Sequence, residues 1–207
     1  MAKDKLTPAE HTALWNDVRS GNKEAFAQLY ELFAADLYRY GYNLVRNKQL
    51  VEDCLHELFL HIFNQQSKLG QTDNIRFYLY RALRRRLTDS LTKLNKFDSD
   101  DYIFDNAEFL IQPHESDLIK EETADKQKQL VIAELNKLPK RQKEILYLVY
   151  MQGFTYQQAS EAMDITMKSV YNTINVALTT LRGYLQETFK REGLLIIFLV
   201  FHYFFKK

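Results

Sequence analysis

The chain of 207 residues is 46% hydrophobic and 27% charged, which fits one or two small globular domains and excludes a disordered chain. Only 6 Gly and 3 Pro are present, so a turn-rich β-sandwich is disfavoured and helices, whose interiors exclude both residues, are favoured. The single cysteine, Cys54, excludes an internal disulfide framework and suits a reducing cytoplasm. The first five residues contain no apolar stretch typical of a secretory signal.

The distribution of charge divides the chain into segments, although the formal net charge is only +1. Residues 1–96 contain 15 Lys and Arg against 11 Asp and Glu, whereas residues 97–125 contain one basic residue against ten acids. The acidic segment also contains Pro113 and has no sustained helical period. We therefore predict an all-α protein with two small helical domains, 1–96 and 126–190, joined by this acidic linker and followed by a hydrophobic tail, 191–207.

Four amphipathic helices are predicted in the N-terminal domain. The first begins at Thr7, because Thr7 can cap the helix, Pro8 suits the first helical position and Glu10 completes a capping box. The next three are predicted to follow Asn22, to begin near Lys48, and to run from about Asn74 to Leu94. A compact helical bundle needs an apolar stripe along each helix. The stripe of the second helix contains Phe26, Leu29, Tyr30, Phe33, Leu37 and Tyr40. The stripe of the third contains Val51, Leu55, Leu58, Phe59, Ile62 and Phe63.

The C-terminal domain has the pattern of a helix-turn-helix. Leu138-Pro139 opens a helix that reaches about Met151, and Gly153 ends it. A short helix from Thr155 to Met163 is then followed by a tight turn and a longer helix that Thr166 caps and that runs to about Thr188. Such a pair of helices presents the second helix to a DNA major groove, although spacing alone leaves an ordinary helical hairpin as an alternative.

Two segments resemble the extracytoplasmic-function class of sigma factors. The sequence VEDCLHELF at residues 51–59 is similar to the polymerase-binding helix of the family, with His56 where Gln is usual. The sequence LPKRQKE at 138–144, followed by GFTY at 153–156, Ala177-Leu178 and Leu181-Arg182, resembles its promoter-reading helix-turn-helix. Their order, their separation and the acidic linker match the family over roughly residues 22–185.

The resemblance implies that the chain binds core RNA polymerase, directs it to promoter DNA and helps to melt that DNA, without enzymatic activity or a cofactor. The N-terminal domain would bind the polymerase clamp and open the minus-ten element. The C-terminal domain would read the minus-thirty-five element, and the linker would thread towards the active site and the RNA exit path. The alternative is a regulator that contacts polymerase or DNA but does not initiate transcription.

The predicted polymerase-binding residues share one face of the third helix. Positions i, i+3, i+4 and i+7 lie on one side of a helix, and they are occupied here by Asp53, His56, Glu57 and Leu60. Phe59 and Ile62 are expected to point into the bundle. A solvated face is the alternative. A metal site at His56 and His61 is not expected, because a spacing of five rotates the second imidazole by roughly 140°.

Basic and aromatic residues concentrate in the fourth helix, as the capture of a melted DNA strand requires. We expect DNA contacts from Tyr78, Arg81, Arg84 and Arg85, whereas Phe77 and Tyr80 are expected in the core. Arg85 stands where the family usually has Asn near the pocket for a flipped base, which leaves the identity of the minus-ten bases open.

The second helix of the helix-turn-helix leaves five residues for the groove: Lys168, Ser169, Tyr171, Asn172 and Asn175. Asn can pair bidentately with adenine, and Lys can reach guanine or phosphate. The family commonly has more basic residues here, and fewer charges weaken the grip on DNA. Contacts from Lys140, Arg141 and Lys143 are expected to compensate.

The hydrophobic tail lies outside the resemblance. As a helix its apolar residues 194–205 would span about 18 Å, which is less than the roughly 30 Å core of a bilayer. Burial against the protein's own domains, in a partner such as an anti-sigma factor, or weakly at a membrane surface are the alternatives. Docking onto the DNA-reading domain would make the tail an autoinhibitor.

Overall fold

A computed structural model describes residues 6–95 and 130–192 of the chain. Every regular element in these residues is helical, which confirms the predicted all-α fold class. The predicted linker and the tail from residue 193 onwards lie outside the described residues. The elements are α1 (Pro8–Arg19), α2 (Lys23–Val45), α3 (Lys48–Asn64), a 3-10 turn (Gln66–Lys68), α4 (Ile75–Asn95), α5 (130–136), α6 (Lys140–Leu146), a π-helical turn (Tyr147–Met151), α7 (Tyr156–Met163) and α8 (Met167–Glu192).

Side-chain caps fix the helix starts that the sequence predicts. The Thr7 hydroxyl accepts the Glu10 amide, and the Glu10 carboxylate accepts the Thr7 amide at 2.6 Å, so the predicted capping box is present. Asn22 caps α2 by accepting the Ala25 amide at 3.0 Å, and Asn74 accepts the Phe77 amide at 2.9 Å at the start of α4. Each cap satisfies an amide that the first helical turn leaves without a partner.

Helices α1 to α4 form a bundle around the fully buried Trp15, whose indole Nε1 donates to the carbonyl of Gly70 at 2.7 Å. Gly41 lets α2 approach α3 and α4 closely. A Cβ at Gly41 would lie 2.9 Å from Val51 Cγ1 and 3.3 Å from Leu87 Cδ1, so any larger residue would push both neighbours away. This packing fixes the position of α4 in the bundle and thereby places the arginines that α4 carries.

The helix-turn-helix is formed by α7 and α8. Thr155 and Gln158 make a second capping box at the start of α7, and the Thr166 hydroxyl accepts the Ser169 amide at 3.2 Å at the start of α8. Asp164 adopts the left-handed conformation, with φ of 53°, and makes the tight turn between the two helices. The core of this unit contains buried side chains and side chains packed against them: Ala159, Met163, Ile165, Val170, Ile174 and Leu178.

The structure differs from the sequence prediction at two helix ends. The helix predicted to run to Met151 is α-helical only to Leu146 and continues as the π-helical turn, whose last residue is Met151. Gly153 then reverses the chain with φ of 72°. The helix predicted to end near Thr188 extends to Glu192. The π-helical turn adds a residue to one helical turn and thereby changes which side chains face the N-terminal domain.

Candidate polymerase-binding and DNA-binding surfaces

The residues predicted to bind polymerase lie together on an exposed face of α3. Asp53, His56, Glu57 and Leu60, hereafter the α3 face, are all exposed. Their inward neighbours Phe59 and Ile62 are buried, as predicted. The acids of the α3 face are not isolated, because Gln49 Nε2 donates to Asp53 Oδ1 at 2.9 Å and Arg86 Nη1 lies 3.7 Å from Glu57 Oε2. The face therefore combines ordered acidic groups with one apolar side chain.

An aromatic patch continues the α3 face onto α2, and sequence reasoning did not find it. Tyr30 and Phe63, which were assigned to the apolar stripes, are 49% and 42% exposed. The Tyr30 ring lies 4.8 Å from the Phe59 ring, and the Phe26 and Phe63 rings are 5.2 Å apart. Helical spacing could not single out Phe63, because consecutive apolar residues can both be buried, as Leu58 and Phe59 are in the same helix.

The four residues of α4 predicted to bind DNA are not equally accessible. Arg85 is exposed over 84% of its side chain and lies 3.9 Å from Asp89. Arg81 is also exposed, and its Nη1 lies 3.6 Å from Glu161 Oε2 on α7. Tyr78 is partly buried, with its ring 4.8 Å from that of Trp15. Arg84 is only 14% exposed, so the sequence prediction of an accessible Arg84 differs from the arrangement observed.

Arg84 is covered by a fully buried carboxylate of the C-terminal domain. Its Nε donates to Glu144 Oε1 at 2.8 Å, and the Tyr40 hydroxyl donates to the same oxygen at 2.8 Å. Burial alone would lower the pKa of Arg84, but the adjacent Glu144 carboxylate raises that pKa, so the guanidinium stays charged. Burial, reinforced by Glu144, raises the pKa of Tyr40 well above its usual value. We call these three residues the Glu144 cluster.

An aromatic contact surrounds the Glu144 cluster and joins the two domains. The Tyr40 and Tyr147 rings stack at 5.9 Å, and Phe154 meets Phe77 and Tyr80 edge-on at 5.7 and 5.8 Å. Tyr80 is fully buried, as predicted, and Phe77 is partly buried, but both contact the C-terminal domain as well as their own bundle. The apolar stripe of α4 therefore packs against two domains.

The helix α8 presents most of its predicted DNA-reading residues to solvent. Lys168, Tyr171, Asn172 and Asn175, hereafter the α8 face, are exposed, whereas Ser169 is partly buried with its hydroxyl 3.0 Å from that of Thr166. The Tyr171 ring packs edge-on against Tyr156 of α7 at 4.8 Å. Val176, where the family commonly has a basic residue, is also exposed and lies one turn after Asn172.

The three basic residues of α6 are placed differently from one another. Arg141 is exposed and Lys140 partly buried, so both remain candidates for phosphate contacts. Lys143 is only 4% exposed, and its Nζ donates to the carbonyl of Asn136 at 3.2 Å. Burial, together with Arg46 and Lys140, lowers the pKa of Lys143. The expected DNA contact of Lys143 does not fit this arrangement, because its ammonium joins α6 to the end of α5.

Two features are absent from the described part of the chain. No helix there is long and apolar enough to cross a membrane. Across residues 6–95 and 130–192, no cluster of three or more His, Cys, Asp or Glu side chains is placed to hold a metal ion.

Comparisons with known proteins link both domains to one family. The family described as Sigma-70 region 2 matches residues 29–97, and Sigma-70, region 4 matches residues 128–181. The chain is 26% identical over 144 residues to the ECF RNA polymerase sigma factor SigM of Bacillus subtilis (strain 168), covering 67% of this chain and 82% of SigM. It is 23% identical over 172 residues to SigX of the same organism, covering 79% and 85%.

Solved structures show the same fold. The structure of CnrH in complex with the cytosolic domain of CnrY matches with a TM-score of 0.52 and 17% identity, covering 85% of this chain and 97% of that one. The sigma factor RpoE in complex with the anti-sigma factor NepR from Bartonella quintana matches with a TM-score of 0.55 and 19% identity, covering 79% and 98%. Because regions 2 and 4 together match more than half of the chain, in family order, the chain belongs to the sigma-70 family of RNA polymerase sigma factors, in its extracytoplasmic-function class.

Proposed function

We propose that this sigma factor binds core polymerase through the α3 face and reads promoter DNA through the α8 face and the arginines of α4. The observation that carries the proposal is that the α3 and α8 faces are both open to solvent while the opposite sides of their helices are buried. Exposed acids beside Leu60 suit a basic partner helix, and exposed Asn and Lys side chains suit base edges and phosphates. Initiation itself needs neither a bound cofactor nor enzymatic chemistry from this chain.

The same reasoning supports a cytoplasmic protein under the control of an anti-sigma factor. Polymerase and promoter DNA are the partners of the family, and both are found in the cytoplasm. One of the solved structures that share this fold holds its sigma factor in complex with an anti-sigma factor. A partner that covers the α3 face or the aromatic patch beside it would block access to polymerase.

Transcription in vitro tests the proposed function. The full chain added to core polymerase should produce transcripts from promoters that core polymerase alone does not use. A regulator that does not initiate transcription would bind core polymerase or DNA without yielding a transcript, and that result would favour the alternative function.

A double substitution tests the α3 face. Asp53→Ala with Glu57→Ala should weaken binding to core polymerase while helicity measured by circular dichroism stays unchanged. Glu31→Ala with Glu187→Ala, two exposed acids outside the α3 face, is the matched control with the same change in charge. Equal affinity of both double variants for core polymerase would contradict the assignment.

A further inference from the structure

The contact between the two domains uses the same arginine that is proposed to bind DNA. Arg84 lies on α4 of the N-terminal domain, and its guanidinium points onto Glu144 of α6. The neighbouring Arg81 forms a longer and more exposed ion pair, at 3.6 Å, with Glu161 of α7. A guanidinium binds a carboxylate and a phosphate through the same donors. Glu144 therefore occupies the position that a DNA phosphate would take at Arg84.

The composition of this contact suits a reversible association. It contains a buried ion pair, the Tyr40 hydroxyl, and a hydrogen bond from Arg76 Nη1 to Gln152 Oε1 of 2.5 Å beside its aromatic rings. Polar contacts of this kind are typical of domains that separate and reassociate. The second oxygen of Glu144, Oε2, is buried and has no hydrogen-bond partner among the described residues. A buried acceptor without a partner costs free energy in the closed arrangement.

We propose that the Glu144 cluster is an autoinhibitory contact, in which Glu144 competes with promoter DNA for Arg84 so that the two domains must separate before α4 can engage DNA. The inference rests on the proposed role of Arg84 as a DNA contact. The α8 face stays exposed in the closed arrangement, so closure restricts one DNA-binding surface and leaves the other accessible. The occupant that closure excludes is a nucleic-acid backbone, which offers the same anionic oxygens as Glu144.

The affinity for single-stranded DNA should report this competition. A minor open state is typically populated at about 0.1–10%, and the apparent affinity falls in proportion to that fraction. Full opening should therefore tighten binding about tenfold or more. Release of Arg81 and Arg84 should also steepen the salt dependence, by about 0.7 for each additional phosphate contact with a single strand.

Glu144→Gln in the full chain is the test, because it removes the charge and keeps the shape. Spin labels at Ser20→Cys and Gln186→Cys, two exposed positions on different domains, in a Cys54→Ala background, measure opening without DNA. The expected result is a longer and broader distance distribution, and tighter binding of a fluorescent mixed-sequence 20-nucleotide single strand. Glu187→Gln makes the same change in charge at an exposed position of α8 and should change neither.

Two further variants keep the test decisive. Tyr40→Phe removes only the hydroxyl that donates to Glu144, so it should fold and open the domains to a smaller extent even if Glu144→Gln does not fold. Glu144→Gln combined with Arg84→Ala should lose the gain in DNA affinity but remain open.

The outcomes separate this inference from the proposed function. An unchanged distance in folded Glu144→Gln and Tyr40→Phe would overturn autoinhibition, while transcription by the wild-type chain would still support the sigma-factor function. Opening without tighter DNA binding would overturn the competition at Arg84. Opening with tighter binding that persists without Arg84 would assign the gain to other residues and would equally overturn that competition.

Discussion

The two surfaces proposed to bind DNA differ in whether another domain of the molecule covers them. The α8 face is exposed to solvent, and the opposite side of α8 is buried in its own domain. On α4, Arg84 is covered by a carboxylate from the other domain, and Arg81 lies beside a second one. Exposure of a DNA-binding residue is therefore not a property of its helix alone. Under the proposed autoinhibition, the surface for duplex DNA stays available, and the surface for melted DNA is freed only when the domains separate.

Substitution of Arg84 should have the largest effect on the difference between the two surfaces. Arg84→Ala leaves the buried Glu144 carboxylate without its cation, which should disfavour the closed arrangement by about 3–5 kcal/mol. Arg85→Ala removes an exposed side chain, and its effect should stay below about 1 kcal/mol. Distances between spin labels on the two domains should lengthen only for Arg84→Ala. If both variants keep the wild-type distance, α4 is not held by Glu144.

The exposed α8 face is expected to contact bases of duplex DNA. Asn172→Ala or Asn175→Ala should each weaken binding to a selected duplex promoter by about 1–3 kcal/mol relative to random duplex DNA. The inter-domain distance should not change, because both side chains are exposed. Binding of promoter and random duplex DNA by fluorescence anisotropy provides the measurement, and equal losses on the two DNAs would argue against base reading.

Alkaline pH should open the covered surface. Burial raises the pKa of Tyr40 and of Tyr80 above their usual value near 10, so the stability from their neutral hydroxyls is complete below pH 10. It is lost as the pH rises above 10 towards the folded-state pKa, by about 1.4 kcal/mol per pH unit for each tyrosine. The spin-label distance should therefore lengthen in this range. Tyr40→Phe should show a shallower dependence, and an identical profile would exclude a contribution from Tyr40.

The smallest expected effect concerns a single phosphate contact. Lys168→Ala should lower the salt slope for duplex binding by about 0.9 and weaken promoter and random duplex equally. Lys23→Ala, an exposed lysine at the start of α2, is the matched control and should leave the slope unchanged. A preference for one base pair that disappears with Lys168 would instead indicate that this lysine reads a base.

Local sequence signals predicted the parts of the fold that local interactions determine. The Thr7–Glu10 capping box and the Gly153 break depend on residues close in sequence, and both are present as predicted. The π-helical turn was missed, because residues 147–151 read as an unbroken continuation of an amphipathic helix. Tyr147, the first residue of this turn, packs on Tyr40, more than 100 residues away, and a local pattern cannot reveal such a contact.

The candidate surfaces, too, could be predicted from the sequence only where local spacing determines them. Helical spacing placed Asp53, His56, Glu57 and Leu60 on one exposed face of α3. Spacing could not reveal that Arg84 and Lys143 are covered, because their partners come from another element or the other domain. A basic residue on a helix surface looks the same in sequence whether its counterion is a phosphate or a carboxylate. Only the tertiary arrangement distinguishes the two.

The buried indole described in the N-terminal bundle gives the protein an intrinsic optical reporter. Trp15 is the only tryptophan in the sequence, so fluorescence excited selectively through it comes from the N-terminal domain alone. Its ring lies 4.8 Å from Tyr78, a residue proposed to contact the melted strand, so a base that displaces Tyr78 would change the emission. Circular dichroism, in contrast, reports the helical content of both domains. A fluorescence unfolding curve that separates from the dichroism curve would show the domains melting one after the other, without any label on the chain.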